Sequence, residues 1–264
     1  MNNIIFLEES LNATELTLTI ALYIVGGLIG VLSVFALVVS IYLSLKYFKY
    51  NRIQNSCGMT GEEVCRRILD ENDLEHIRVS PTGSILFGNS YSHYFKKVRL
   101  RRFTYKKESV TSLAMAGQKA SLAILDKEND IDMKKRVRLT PVVIFGPYAF
   151  IPLLIVGLII DILFFSGGGL VTILSGVLGL LFFILSYVCS FMELKTEKKA
   201  QAKALEIFEK NNLANEEERE MMKSLFKLYN IEYINNMIIA MLELLYYILQ
   251  IALSLAASKS SSKS

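Results

Sequence analysis

Two histidines, His76 and His93, and three cysteines, Cys57, Cys65 and Cys189, are the only residues of those two types in a chain of 264. So few cysteines exclude a disulfide scaffold, and so few histidines nearly exclude a His-rich metal centre. Neither His lies four residues from the other, and no His-Glu dipeptide occurs. There is no Gly-rich phosphate loop, no G-x-S-x-G and no periodic repeat, so nothing points to nucleotide chemistry or a serine nucleophile. A substitute site drawn from Cys57, Cys65, His93 and Glu197 would offer the S, N and O donors that zinc accepts. The spacing of its cysteines is not that of a zinc knuckle, however, and Cys65 stands where a small apolar residue would serve as well. His76 and His93 read better as strand or surface residues. Asp161 and Glu243 are placed more unusually, inside long apolar runs where a carboxylate is costly and therefore a functional suspect. Asp161 lies about a turn from the end of its run and can snorkel to water, whereas Glu243, near mid-run, suits a helix–helix contact.

Those apolar runs dominate the chain. Hydrophobic residues make up 52% of it, the mean hydropathy is +0.38, and the charges cluster between the runs, which describes a membrane protein rather than a soluble enzyme. Four segments reach the roughly 20 apolar residues needed to cross a bilayer: 16–45, 142–165, 170–192 and 231–257. The first has no Lys or Arg before it and carries Glu8, Glu9 and Glu15, so it reads as a retained anchor rather than a cleaved signal. The sequon Asn12-Ala-Thr14 would matter only in a glycosylating pathway. Of the 29 basic residues, 19 fall in 46–140 and 8 in 192–230. The positive-inside rule therefore predicts that both stretches are cytoplasmic, with residues 1–15, the Ser166–Gly169 turn and the tail 258–264 outside. The short turn makes spans two and three a hairpin. Pro141, Pro147 and Pro152 predict kinks in span two, since each removes a backbone donor.

Between the first two spans, 46–140 is long enough for a small α/β lobe. Thr60-Gly-Glu-Glu63 has the form of a capping box and opens a helix with Val64, Ile68 and Leu69 on one stripe. His76–Ser80 and Lys96–Arg102 alternate apolar and polar residues and predict strands. A second helix over 108–125 places Val110, Leu113, Ala114, Ala120 and Ile124 on its buried side, and the charged run 127–138 links it to span two. The stretch 193–230 predicts two helices broken at Asn211–Asn215, with Asn215 and Glu218 as a second capping signal; its evenly matched acidic and basic residues describe a solvated face. Lys96–Lys107 holds seven basic residues with Phe103 and Tyr105 interleaved, formally a nucleic-acid footprint. Beside a bilayer the simpler partner is anionic lipid, and no nucleic acid is expected.

Asn55-Ser-Cys-Gly-Met-Thr-Gly-Glu-Glu-Val-Cys-Arg-Arg-Ile-Leu-Asp-Glu-Asn72, then Ile77-Arg-Val79 and Val98-Arg-Leu100, resembles the soluble lobe of the bacterial membrane-bound neutral zinc metallopeptidases. The likeness runs through Ser109-Val-Thr-Ser-Leu-Ala114, the paired spans and Glu197–Leu205, over roughly residues 45–250. It implies an α-helical polytopic membrane protein with a small zincin-like α/β lobe between helices 1 and 2. It also implies a zinc site in which H-E-x-x-H supplies two ligands and the general base. Counted from Ser109, those positions hold Gln118, Lys119 and Leu122: a poor ligand, a cation in place of the base, and a side chain with no donor atom. The third ligand has a counterpart in Glu197, but one carboxylate cannot hold catalytic zinc. The D-H-Y-D-P stretch of the family falls on Asn89-Ser-Tyr-Ser-His93, where only Tyr91 is kept.

The expectation is therefore a catalytically inactive homologue of a membrane zinc metallopeptidase, without cofactor, serving as a scaffold or regulatory partner of other membrane proteins or of itself in a bacterial plasma membrane. Two alternatives stand beside it: a small ion-coupled transport or channel-associated protein using Asp161 and Glu243, and an active zinc peptidase with atypical ligands.

Overall fold

The computed structural model describes residues 2–83, 88–165 and 169–261. The Ser166–Gly168 part of the predicted turn, the end of the tail and the Asn12 side chain of the sequon lie outside the described residues. The chain is mostly helical: α1 (Asn2–Tyr50), α2 (Gly61–Asp70), β1 (Arg78–Thr82), β2 (Ser90–Ser92), β3 (Lys97–Arg101), α3 (Arg102–Lys106), α4 (Val110–Lys127), α5 (Ile131–Phe164), α6 (Leu170–Lys210) and α7 (Glu216–Ser261). Three helices are long and apolar enough to cross a membrane, and a fourth span results if the two arms of α5 count as one. Those arms, Ile131–Gly146 and Tyr148–Phe164, meet at 58°. The bend falls at Pro147, one of the three expected kink positions, where the missing backbone N–H leaves a carbonyl one turn back without its helical donor.

The chain divides into two compact units, one made of residues 1–41 and 231–264 and the other of 42–230. In the first, the outer parts of α1 and α7 are tied by a hydrogen bond from the Asn235 amide to the Leu32 carbonyl, at 3.2 Å. Glu243 is exposed here and, with Gly26, Ile29, Tyr246 and Tyr247, lines a cavity of about 300 Å³.

In the second unit, α5 and α6 form the hairpin. Small residues let their backbones approach: a Cβ on Gly146 would stand 2.7 Å from that of Ser186, and one on Gly157 would stand 2.6 Å from the Ser175 hydroxyl. Such close approach is how helices associate where lipid removes any hydrophobic drive. Asp161, 1% exposed, accepts from the backbone N–H of Val171 (3.1 Å) and Thr172 (2.6 Å) and from the Thr172 hydroxyl (2.6 Å). It thus satisfies the orphan donors at the start of α6 and does not turn to water. Beyond Met192 the apolar character of α6 ends, yet the helix continues unbroken to Lys210. The chain breaks at Asn211–Asn215, and Asn215 and Glu218 exchange both bonds of a capping box, each 2.9 Å.

The small sheet has the order β1-β3-β2, with β1 parallel and β2 antiparallel to β3. Both predicted strands exist with ends shifted by one or two residues; β2, too short and polar to show period-two alternation, was not visible in the sequence. Thr60 and Glu63 form the expected capping box of α2. The largest difference concerns α4, expected to bury one stripe. All sixteen residues from Val110 to Leu125 are buried, because α2 packs on one side, α6 on another, and α3 and the sheet close the rest. The charged run 127–138 is no plain linker either: Asp130 caps α5, accepting from the N–H of Asp132 and Met133, so the helix starts well before its apolar part.

Candidate functional site

A helix buried all round can hold a polar side chain only if that side chain finds a partner. α4 carries two long ones, Gln118 (6% exposed) and Lys119 (9%), and both turn to the same atom. The Gln118 amide donates to Glu197 Oε2 at 2.8 Å, and the Lys119 ammonium donates to it at 2.9 Å. The other oxygen, Oε1, lies 2.8 Å from Arg136 Nη1 on α5, and Arg136 Nε lies 3.8 Å from Glu193. Three helices thus converge on one carboxylate. Burial alone would raise the Glu197 carboxyl, but the charges of Lys119 and Arg136, with their hydrogen bonds, hold it down at about 2.

Leu122, one turn further along α4, is 1% exposed and packs with Leu125, Met133 and Ala200. The approach of α4 to α6 is set one residue before the cluster: a Cβ on Gly117 would stand 2.1 Å from the ring of Phe208, which is fully buried. Two of the positions that the resemblance matches to the zinc motif, Gln118 and Lys119, are therefore brought onto Glu197, while Leu122 packs beside Ala200, further along α6. Zinc needs neutral imidazole or anionic donors, whereas this cluster presents a donating amide, two fixed cations and a leucine around its single carboxylate. The residues do not fit the metal, and no catalytic step is derived through it.

The postulated S, N and O site is not assembled. Cys57 bonds Asn55 Oδ1 through its thiol at 3.3 Å. Cys65 lies in the core against α4, its thiol pushed up to about 12 by burial. His93 lies at Asp126 instead, Nδ1 to Oδ2 2.7 Å. Among the described residues no three His, Cys, Asp or Glu side chains are grouped to hold a metal ion.

Sequence reasoning missed Arg136 and Glu193. A signal existed: Glu193 and Glu197 are four apart on one helix, a like-charge pairing that costs energy unless a cation sits against both. The lysines of the same helix, expected on a solvated face, stay partly or largely exposed and also reach carboxylates outside their own helix. Lys195, Lys199 and Lys203, each four residues on, meet Asp132 (3.1 Å), Asp130 (2.8 Å) and Glu128 (2.5 Å), which ties α6 to the junction of α4 and α5.

The Glu197 cluster has a signed pH dependence. A carboxyl depressed from 4.5 to about 2 binds its proton later in the folded chain than in the unfolded one. Its contribution is therefore complete above about pH 4.5 and is lost as pH falls toward 2. The gap in thermal midpoint between the wild type and Glu197→Gln, followed by circular dichroism, should be wide at pH 7 and narrow steadily below pH 4.5. A gap independent of pH would remove the charge pairing from the account.

A sequence profile of the family described as "Putative neutral zinc metallopeptidase" matches residues 25–252. The protein described as "Putative membrane protease YugP", from Bacillus subtilis (strain 168), is 26% identical over 202 residues, which cover 76% of this chain and 84% of that one. No solved structure matches. With most of the chain inside the profile, long apolar helices included, the protein belongs to this membrane-associated zinc metallopeptidase family.

Proposed function

We propose that the chain is a catalytically inactive member of its family, retained as a scaffold or regulatory partner in a membrane protein complex. One observation carries the reading: the carboxylate that would complete a zinc site is neutralised from within by Lys119 and Arg136, while Leu122 seals the neighbouring position with apolar packing. A bound metal would have to displace two internal cations and would gain no imidazole in exchange. In this reading α1, α5, α6 and α7 all span a bacterial plasma membrane, the stretches 46–140 and 193–230 face the cytoplasm, and both termini lie outside. The lobe would hold a protein segment without cutting it.

The transport alternative weakens on Asp161, whose lone pairs are engaged in capping α6. Replacing Asp161 by Ala should lower the thermal midpoint of the protein in detergent without altering flux of any ion in proteoliposomes; a flux lost on that substitution would favour transport. The scaffold role is tested by crosslinking in native membranes followed by mass spectrometry. One membrane protein recovered at fixed stoichiometry, with its crosslinks on the lobe, is the expected result. Crosslinks scattered without a recurrent partner would contradict it.

A further inference from the structure

Both histidines of the chain, 17 positions apart in sequence, line one cavity of about 380 Å³ between the sheet, the end of α4 and the start of α5. Four permanent cations line it as well: Lys96, Lys127, Lys134 and Arg138. The one carboxylate there, Asp126, is already engaged. It accepts from the Tyr91 hydroxyl at 2.6 Å, lies 2.7 Å from His93 Nδ1, and pairs with Lys96 at 3.4 Å. Burial would raise the Asp126 carboxyl, but these bonds and charges hold it below its ordinary value, so it stays ionised with its charge spent on its neighbours.

The basic residues are not equally satisfied. Lys127 pairs with Asp73 at 2.9 Å. Lys134 and Arg138 have no ion pair among the described residues, although they stand four apart on α5 and on the face that lines the cavity. Like charges at that spacing cost helix stability, and an anion between them turns the cost into a gain. Lys96 sits at φ +44°, a left-handed conformation that a side chain with a Cβ adopts at some cost.

We propose that this cavity is a binding site for a phosphate-bearing anion, with Lys134 and Arg138 as its principal ligands and His76, His93 and Lys96 completing the rim. A guanidinium offers phosphate a bidentate fork and an ammonium offers a point charge. The volume is in the range of small-ligand sites and holds a phosphate with part of its ester. Arg138 precedes the apolar run beginning at Val142 by about one helical turn, roughly 6 Å at 1.5 Å per residue. The cavity therefore opens near headgroup level when α5 enters a bilayer, and the phosphate of an anionic lipid and a free phosphate or phosphomonoester are the two sources of one chemistry. The site does not depend on whether the protein hydrolyses peptides.

The test uses the full chain in neutral detergent. One arm titrates inorganic phosphate calorimetrically; the other titrates phosphatidylglycerol in mixed micelles, read by native mass spectrometry, with phosphatidylcholine as the reference. Lys134→Gln with Arg138→Gln should weaken saturable binding about ten-fold or more, at the energy expected for two basic residues near an anionic group. Lys106→Gln with Lys107→Gln removes two exposed cations outside the cavity and should leave binding within about two-fold. Since Lys134 and Arg138 have no ion-pair partner to strand, their replacement should leave the circular dichroism spectrum unchanged, and Lys134→Gln alone provides a milder second variant. Saturation by inorganic phosphate assigns the site to free phosphates, and saturation by phosphatidylglycerol alone assigns it to lipid. No saturable binding in either arm, or equal losses in both double variants, overturns the proposal.

Discussion

Glu197→Ala is expected to destabilise the protein by about 3 to 5 kcal/mol, the range for removing one partner from a buried ion pair. The loss should appear as a fall of roughly 10 °C in thermal midpoint for a chain of this size. The cost is not that of lost attraction. Lys119, with its side chain only 11% exposed, would lose the carboxylate it bonds, and Arg136, 18% exposed, would keep only the longer contact to Glu193 at 3.8 Å. Lys119→Gln leaves Glu197 with Arg136 and the Gln118 amide, so it should cost distinctly less than Glu197→Ala. Because the chain has no Trp, circular dichroism is the suitable probe. A Glu197→Ala midpoint equal to that of the wild type would show that the cluster is open to water and electrostatically idle.

Phe208→Ala carries the second large effect, about 3 to 5 kcal/mol, from a fully buried aromatic ring whose removal leaves a cavity the helices cannot easily close. The ring packs against Gly117, the residue before Gln118, so its loss should also loosen Gln118 and Lys119 from Glu197. The converse substitution, Gly117→Ala, improves helix propensity by about 1 kcal/mol. It nevertheless places a methyl 2.1 Å from Phe208 Cζ, and overpacking of that kind costs about 1 to 3 kcal/mol, so the net change should be destabilising. Combining Gly117→Ala with Phe208→Leu should cost clearly less than the sum of the single changes, since the smaller side chain makes room for the methyl. Strict additivity would mean that the two residues do not touch.

What was legible in the sequence was whatever depends on local pattern. The Thr60–Glu63 and Asn215–Glu218 capping boxes, the apolar lengths of the long helices and the bend at one of three prolines follow from residues a few positions apart. The placing of Gln118, Lys119 and Leu122 at zinc-motif positions rests on the resemblance and on spacing along one helix. Asp161 was read as snorkelling because its partners, the first amides of α6, lie across a turn and carry no side-chain signature. The total burial of α4 was missed because small residues such as Ala114, Ala116 and Ser121 fill a crowded interior without raising the hydrophobic periodicity. Arg136 was hidden in a basic run that the positive-inside rule already explained. One rule accounting for a residue concealed its second role.

Glu197 serves either internal cations or a metal. The most direct measurement is the zinc content of the purified full chain after equilibration with zinc and removal of the excess, taken together with casein hydrolysis with and without a chelator. Far less than one zinc per chain and no chelator-sensitive hydrolysis are expected. One zinc per chain, with hydrolysis abolished by the chelator and by Glu197→Gln, would contradict that expectation.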